Sequence, residues 1–167
     1  MTTVVCPGSF DPITLGHVDV VRRARVMFDD VVVVVGVNAA KRTLFTPEER
    51  VAMIWEATAH MSGVRVDFTD GLIAQYCRKI GAAAIVKGLR GAADYEGEQS
   101  MALMNRHLTG IETIFIMGDP GLAHVASSLV KDVARHGGDL TDLVPENVVH
   151  ALHTRMKRET APAEETR

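Results

Sequence analysis

Five consecutive valines, Val31 to Val35, followed by Gly36 and Val37, constrain the fold more than any other part of the chain. A strand that is apolar at every position needs cover on both faces, as inside a parallel sheet flanked by helices. Residues 83–86 and 114–117 have the same two-sided character, residues 2–6 are apolar and β-rich, and residues 64–68 form a weaker candidate. Between these runs the apolar spacing is helical. Residues 17–28 place Val18, Val21, Ala24 and Phe28 along one face. Thr46, Pro47 and Glu49 form a helix start with a capping box, opening a helix predicted to bury Val51, Ile54 and Trp55. Further helices are predicted over 72–81, with Gly81 as C-terminal cap, over 94–108 and 127–136, and from Pro145 to about residue 157. Five strands alternating with helices predict an α/β fold. The expected form is a single-domain, doubly wound, Rossmann-like five-stranded parallel sheet with helices on both faces and right-handed crossovers.

With 167 residues the chain suits one domain, expected over residues 1–159, with a polar tail at 160–167 that contains Pro162. A net charge of −3 and a pI near 6.1 give no general attraction to nucleic acid or anionic lipid, so neither is expected as a partner. The longest apolar run, at residues 31–35, is far short of the roughly 20 residues that cross a membrane, and no basic stretch precedes a long apolar one. A soluble, cytoplasmic protein is expected. Cys6 and Cys77 form no CxxC pair and read as reduced thiols. His60, His107, His136, His150 and His153 lack metal-ligand spacing and read as surface or packing residues.

Chemistry concentrates in residues 7–17, PGSFDPITLGH, which join the first strand to the first helix. Gly8 permits close approach to a ligand, Asp11-Pro12 sets a tight turn, and Gly16 lets the chain enter the helix with N–H groups facing outward. Helix starts of this kind attract anions. His17, in the first turn, can donate a ring hydrogen bond to the same anion or serve only as a helix-start cap. In a doubly wound sheet, ligands sit at the carboxyl ends of the strands. Ser9 and His17 follow the first strand, Lys41 the second, Ile73 the third, Lys87 and Arg90 the fourth, and Ser127 and Ser128 the fifth. Arg42 reads as solvated.

The chain has no GxxxxGK[ST] loop, no GxGxxG turn and no GxSxG elbow, which removes the common P-loop, dinucleotide and hydrolase readings. What is left is a set of cations and N–H donors without a covalent nucleophile. Such a site suits nucleotidyl transfer between two phosphates, where the attacking phosphate is already nucleophilic and the protein aligns it and stabilises charge.

The TxGH element Thr14-Leu15-Gly16-His17 resembles the signature of the nucleotidylyltransferase superfamily. Together with FTPEER at 45–50, KGLR at 87–90, MNRH at 104–107, SSLVKDVARHGGD at 127–139 and LVPENV at 143–148, it resembles the bacterial phosphopantetheine adenylyltransferase family in order, over about residues 4–152. The resemblance implies reversible transfer of AMP from ATP to 4′-phosphopantetheine, giving dephospho-coenzyme A and pyrophosphate, with Mg²⁺ as cofactor and coenzyme A as a further candidate ligand. It implies that Ser9 and Lys41 bind the substrate phosphate and that Ile73 and Lys87 line the pantetheine site. ATP would be held by Ser9, Phe10, His17, Gly88, Leu89, Arg90, Glu98, Leu122, Ala123, His124, Val125, Ala126, Ser127 and Ser128. His17 would stabilise the transition state rather than act as a base. The family's homohexamer of two stacked trimers is implied as well.

Several positions depart from the family pattern. Lys87 stands where arginine is common, Gly97 replaces an aromatic, and Leu122, His124 and Ala126 replace an aromatic, a phenylalanine and a serine. A related transferase with another acceptor, or a nucleotide- or coenzyme-A-binding homologue with reduced turnover, is therefore an open alternative at this point. Met101 and Met104 read as core or subunit contacts.

Overall fold

A computed structural model describes residues 1–38 and 40–160. The elements run β1 (Thr3–Gly8), α1 (Leu15–Met27), β2 (Asp30–Gly36), α2 (Pro47–Thr58), β3 (Val64–Thr69), α3 (Ile73–Ile80), β4 (Ala84–Leu89), α4 (Ala92–Thr109), β5 (Glu112–Met117), α5 (Ser127–Arg135) and α6 (Glu146–Thr160). A short 3₁₀ turn at Pro120–Leu122 precedes α5. The five strands form one sheet in the order β3-β2-β1-β4-β5, and all neighbours are parallel. The chain winds outward from β1 through β2 to β3, then returns to the other side of β1 with β4, so the order reverses between β1 and β4.

The valine run behaves as its composition requires. Val31, Val33 and Val35 enter one core with α1, α2, α5 and α6, while Val32 and Val34 enter a second core with Ala74 and Cys77 of α3. Among the described residues no helix is long and apolar enough to cross a membrane. Both cysteines are free and buried.

Several expectations need correction. Trp55 is 65% exposed, because the inward stripe of α2 is Arg50, Met53, Ile54 and Thr58, and Trp55 falls one step off it. The strand at 112–117 is not covered on both faces: β5 is the sheet edge, with Ile114 37% and Met117 59% exposed. Helix α6 continues to Thr160 rather than stopping near residue 157, and residues 161–167 of the predicted tail lie outside the described residues. The first helix begins at Leu15, with Thr14 as its cap.

Arg50, from the FTPEER segment, is among the largest fully buried side chains. Its Nη1 donates to the Ser9 carbonyl at 2.7 Å and its Nε to the Thr46 carbonyl at 3.3 Å. A buried guanidinium satisfied this way ties the start of α2 to the turn after β1.

Candidate nucleotide-transfer site

Strands β1 and β4 pair only at Val4 with Ala84 and Val5 with Ile85, although both strands continue toward Gly8 and Leu89. Their divergence opens the sheet at its switch point, where ligands of doubly wound folds bind. A cleft of about 1160 Å³ occupies the gap. That exceeds the roughly 300–1,000 Å³ of ordinary single-ligand pockets, leaving room for two substrates side by side. Gly88 has no space for a side chain: a Cβ there would lie 2.6 Å from Val20 Cγ2 of α1, so the glycine lets α1 pack against β4 under the cleft floor.

His17 both caps the helix and faces the cleft. Its Nδ1 accepts the Thr14 backbone N–H at 3.0 Å, while Thr14 Oγ1 accepts the His17 N–H at 3.4 Å, a reciprocal capping box. A ring nitrogen that accepts from a backbone N–H carries no proton, so the neutral imidazole holds its hydrogen on Nε2. Burial, then the charges of Lys87 and Arg90, push its pKa from 6.5 down to about 4. Near neutral pH His17 is an uncharged donor, and its ring makes a T-shaped contact with Phe10 at 5.0 Å between ring centres. Most N–H groups of this helix start are used internally, contrary to expectation: Leu15 N–H donates to the Leu143 carbonyl at 3.0 Å and His17 N–H to Thr14.

Cations line the opposite walls. Lys87 Nζ lies 3.0 Å from Glu98 Oε1 and 3.5 Å from the Pro7 carbonyl, spanning the gap between β4 and β1. Arg90 is held by both carboxylate oxygens of Asp94, with Nε–Oδ2 and Nη2–Oδ1 each 3.0 Å, and its Nη1 reaches the Val125 carbonyl at 3.4 Å. The Asp94 carboxyl is accordingly depressed below its usual range and the Arg90 guanidinium raised. Lys41 lines the cleft from the exposed loop after β2, and Ile73 from the first turn of α3. Cys6 lines it too, but burial raises its thiol to about 12 and removes it as a nucleophile.

The structure brings Ser9, Phe10, His17, Lys41, Ile73, Lys87, Gly88, Leu89, Arg90, Glu98, Leu122, Val125, Ala126, Ser127 and Ser128 around this one cleft. Ala123 and His124 do not line it; both are exposed on the outer side of the turn before α5. Ser127 Oγ donates to the Pro12 carbonyl at 2.8 Å, so this hydroxyl is committed to holding α5 on the signature turn. Gly97 lines the cleft with nothing within 4 Å of a Cβ, and α4 runs through it unbroken. Sequence reasoning missed Asp94, the carboxylate that aims Arg90; its i,i+4 spacing from Arg90 was the available signal.

A family model described as cytidylyltransferase-like matches residues 5–159. A phosphopantetheine adenylyltransferase of Bifidobacterium animalis subsp. lactis is 55% identical over 159 residues, 94% of this chain and 100% of the relative. One of Nocardioides sp. is 53% identical, covering 93% of this chain and 98% of the relative. Among solved structures, a protein of Vibrio parahaemolyticus provisionally named nicotinate-nucleotide adenylyltransferase superposes with a TM-score of 0.68 at 19% identity, covering 96% of this chain and 98% of its own. That similarity shows the shared fold alone.

Proposed function

We propose, from the premise that the chain belongs to the cytidylyltransferase-like family and within it to the phosphopantetheine adenylyltransferases, that it transfers AMP reversibly from ATP to 4′-phosphopantetheine. The products are dephospho-coenzyme A and pyrophosphate. A phosphate oxygen of the acceptor forms a bond to the α-phosphorus of ATP while the bond from that phosphorus to the bridging oxygen breaks, its electron pair leaving on pyrophosphate. A phosphate dianion needs no base to activate it. The chain's task is alignment and charge stabilisation.

One observation carries this reading: a neutral imidazole, locked with its hydrogen on Nε2, borders a cleft that Lys41, Lys87 and Arg90 also line. Nε2–H donates to a non-bridging oxygen of the α-phosphate as negative charge grows there. Ser9 and Lys41 hold the acceptor phosphate, with Ile73 and Lys87 along the pantetheine arm. ATP lies against Phe10, the Gly88-Leu89-Arg90 turn and Glu98. Leu122, Val125, Ala126, Ser127 and Ser128 form its remaining wall. Coenzyme A, chemically close to the product, competes for the same cleft.

Among the described residues no three His, Cys, Asp or Glu side chains are grouped to hold a metal ion. Mg²⁺ commonly binds through substrate phosphates and water with few protein ligands. Mg²⁺ would be held by the phosphates of the bound nucleotide, where it would offset their negative charge. A cytoplasmic setting suits the two free thiols.

Incubating the purified chain with dephospho-coenzyme A, pyrophosphate and Mg²⁺ is expected to yield ATP, measured by luciferase, and replacing dephospho-coenzyme A by nicotinate adenine dinucleotide is expected to abolish it. ATP from the second substrate alone would overturn the acceptor assignment. Binding of dephospho-coenzyme A without any ATP would favour a homologue lacking turnover.

The homohexamer is also part of this proposal. Tyr95, Met101, Leu103, Met104 and Leu108 of α4 and Ile114 and Met117 of β5 are exposed. Apolar exposure concentrated on one helix and an adjoining sheet edge marks an interaction surface. Light scattering is expected to give six times the 18.1 kDa chain mass, and Leu103→Asp with Met104→Asp to give smaller species. A wild-type monomer at micromolar concentration would refute it.

A further inference from the structure

The geometry points to Asp11 as a positioning residue: its buried carboxylate clamps the loop that carries Lys41, and the helix start that carries Ser127 and Ser128, onto the signature turn that carries His17. The inference rests on the proposed transfer reaction and concerns a residue that does not line the cleft.

Asp11 is only 5% exposed, and its oxygens are fully employed. Oδ1 accepts Leu44 N–H at 3.1 Å and Phe45 N–H at 2.9 Å, while Oδ2 accepts Leu44 N–H at 2.9 Å and Lys131 Nζ at 2.8 Å. Leu44 and Phe45 end the loop that begins after β2 and contains Lys41; Lys131 sits in the second turn of α5. Three segments far apart in sequence therefore meet at one carboxylate. Its immediate neighbours are pinned as well, Ser9 through Arg50 and Pro12 through Ser127. Lys41 itself is exposed, and its backbone N–H bonds only within its own loop, to the Asn38 carbonyl at 3.0 Å. Without the Asp11 bonds the far end of that loop loses two charge-assisted anchors, which are about twice as strong as neutral hydrogen bonds. A displacement of 1 Å at a phosphate-aligning group can lower a rate as much as about 10²-fold.

The test is a double-mutant cycle on ATP formation, using Asp11→Asn and Lys41→Ala. Asp11→Asn alone is expected to lower kcat/KM about 10-fold, chiefly through KM for dephospho-coenzyme A. In the Lys41→Ala background the same change is expected to cost 2-fold or less, since a clamp acting through Lys41 has nothing left to position. Equal losses in both backgrounds would mean a merely structural role and would overturn the inference. Should Asp11→Asn not fold, Asp11→Glu, which keeps the charge but moves the carboxylate off both backbone donors by one methylene, enters the same cycle with the same non-additivity expected. Amide hydrogen exchange supplies a readout independent of turnover. Leu44 and Phe45 N–H should exchange at least 10-fold faster in whichever Asp11 variant is used, with β2 amides unchanged, and unaltered exchange at those two positions would overturn the clamp. No ATP from the wild-type chain would sink the substrate reading, whereas wild-type activity with additive losses would sink only this one.

Discussion

Replacing His17 by Gln should lower kcat for ATP formation by about 10²–10³-fold, the usual loss when one preorganised donor to a developing oxyanion is removed, while leaving the fold intact. Glutamine is chosen because it is a natural partner at the third position of a capping box. It can accept the Thr14 N–H as Nδ1 now does, and so separates the cap from the chemistry. Alanine would remove both functions and add a capping loss of about 1 kcal/mol. Circular dichroism and thermal unfolding read the fold, and pre-steady-state kinetics the chemical step. An unchanged rate in the Gln variant would show that the imidazole only caps the helix.

The same residue sets a pH signature. Its native pKa, about 4, lies below the unfolded value near 6.5. Between those two values the unfolded chain binds the proton and the native chain does not, so stability rises with pH across that window and the contribution is lost as pH falls. Wild-type protein is therefore expected to lose stability relative to His17→Gln as pH drops from about 6.5 toward 4, and to lose no more below that. The rate should show no acid limb from His17 between pH 5 and 8. An inflection near 6.5 that vanishes in the Gln variant would contradict the neutral-donor assignment.

Lys41→Ala carries the second large effect. An ammonium bonded to a phosphate contributes about 1.5–3 kcal/mol, equivalent to roughly 10–150-fold, and the Lys41 side chain is exposed, so its truncation is expected to spare the fold. The loss is expected in KM for dephospho-coenzyme A, with KM for pyrophosphate changed less than 3-fold. Steady-state kinetics with each substrate varied in turn decides it. A loss confined to pyrophosphate would move Lys41 to the nucleotide side of the cleft.

Much of this was legible in the sequence because strand burial and helix starts are local. The all-apolar valine run has alternate residues in two different cores, and Thr46 caps α2 as its spacing implied. Edges are not local. Residues 114–117 are as apolar as an inner strand, yet nothing in them records that β5 lies at the edge of the sheet, where Ile114 and Met117 are exposed. Trp55 was misplaced because its size outweighed its position in the helical period, one step from the Met53-Ile54 stripe. Buried polar groups were harder still. Arg50 enters the sequence only as the last residue of FTPEER, and Asp11 as a turn former before proline. Only the fold brings the Ser9 carbonyl to one and the Leu44 and Phe45 amides to the other. The double use of His17, one nitrogen for the cap and one for the cleft, was hidden because sequence offered the two roles as alternatives.

A crystal structure with dephospho-coenzyme A bound tests the convergence of these groups most directly. The diphosphate is predicted to lie within hydrogen-bond distance of His17 Nε2, with Lys41 on its pantetheine side and adenine near Leu122 and Val125. Density placing the diphosphate away from the β1–β4 gap, with His17 Nε2 and the Lys41 ammonium in unconnected surroundings, would contradict the account.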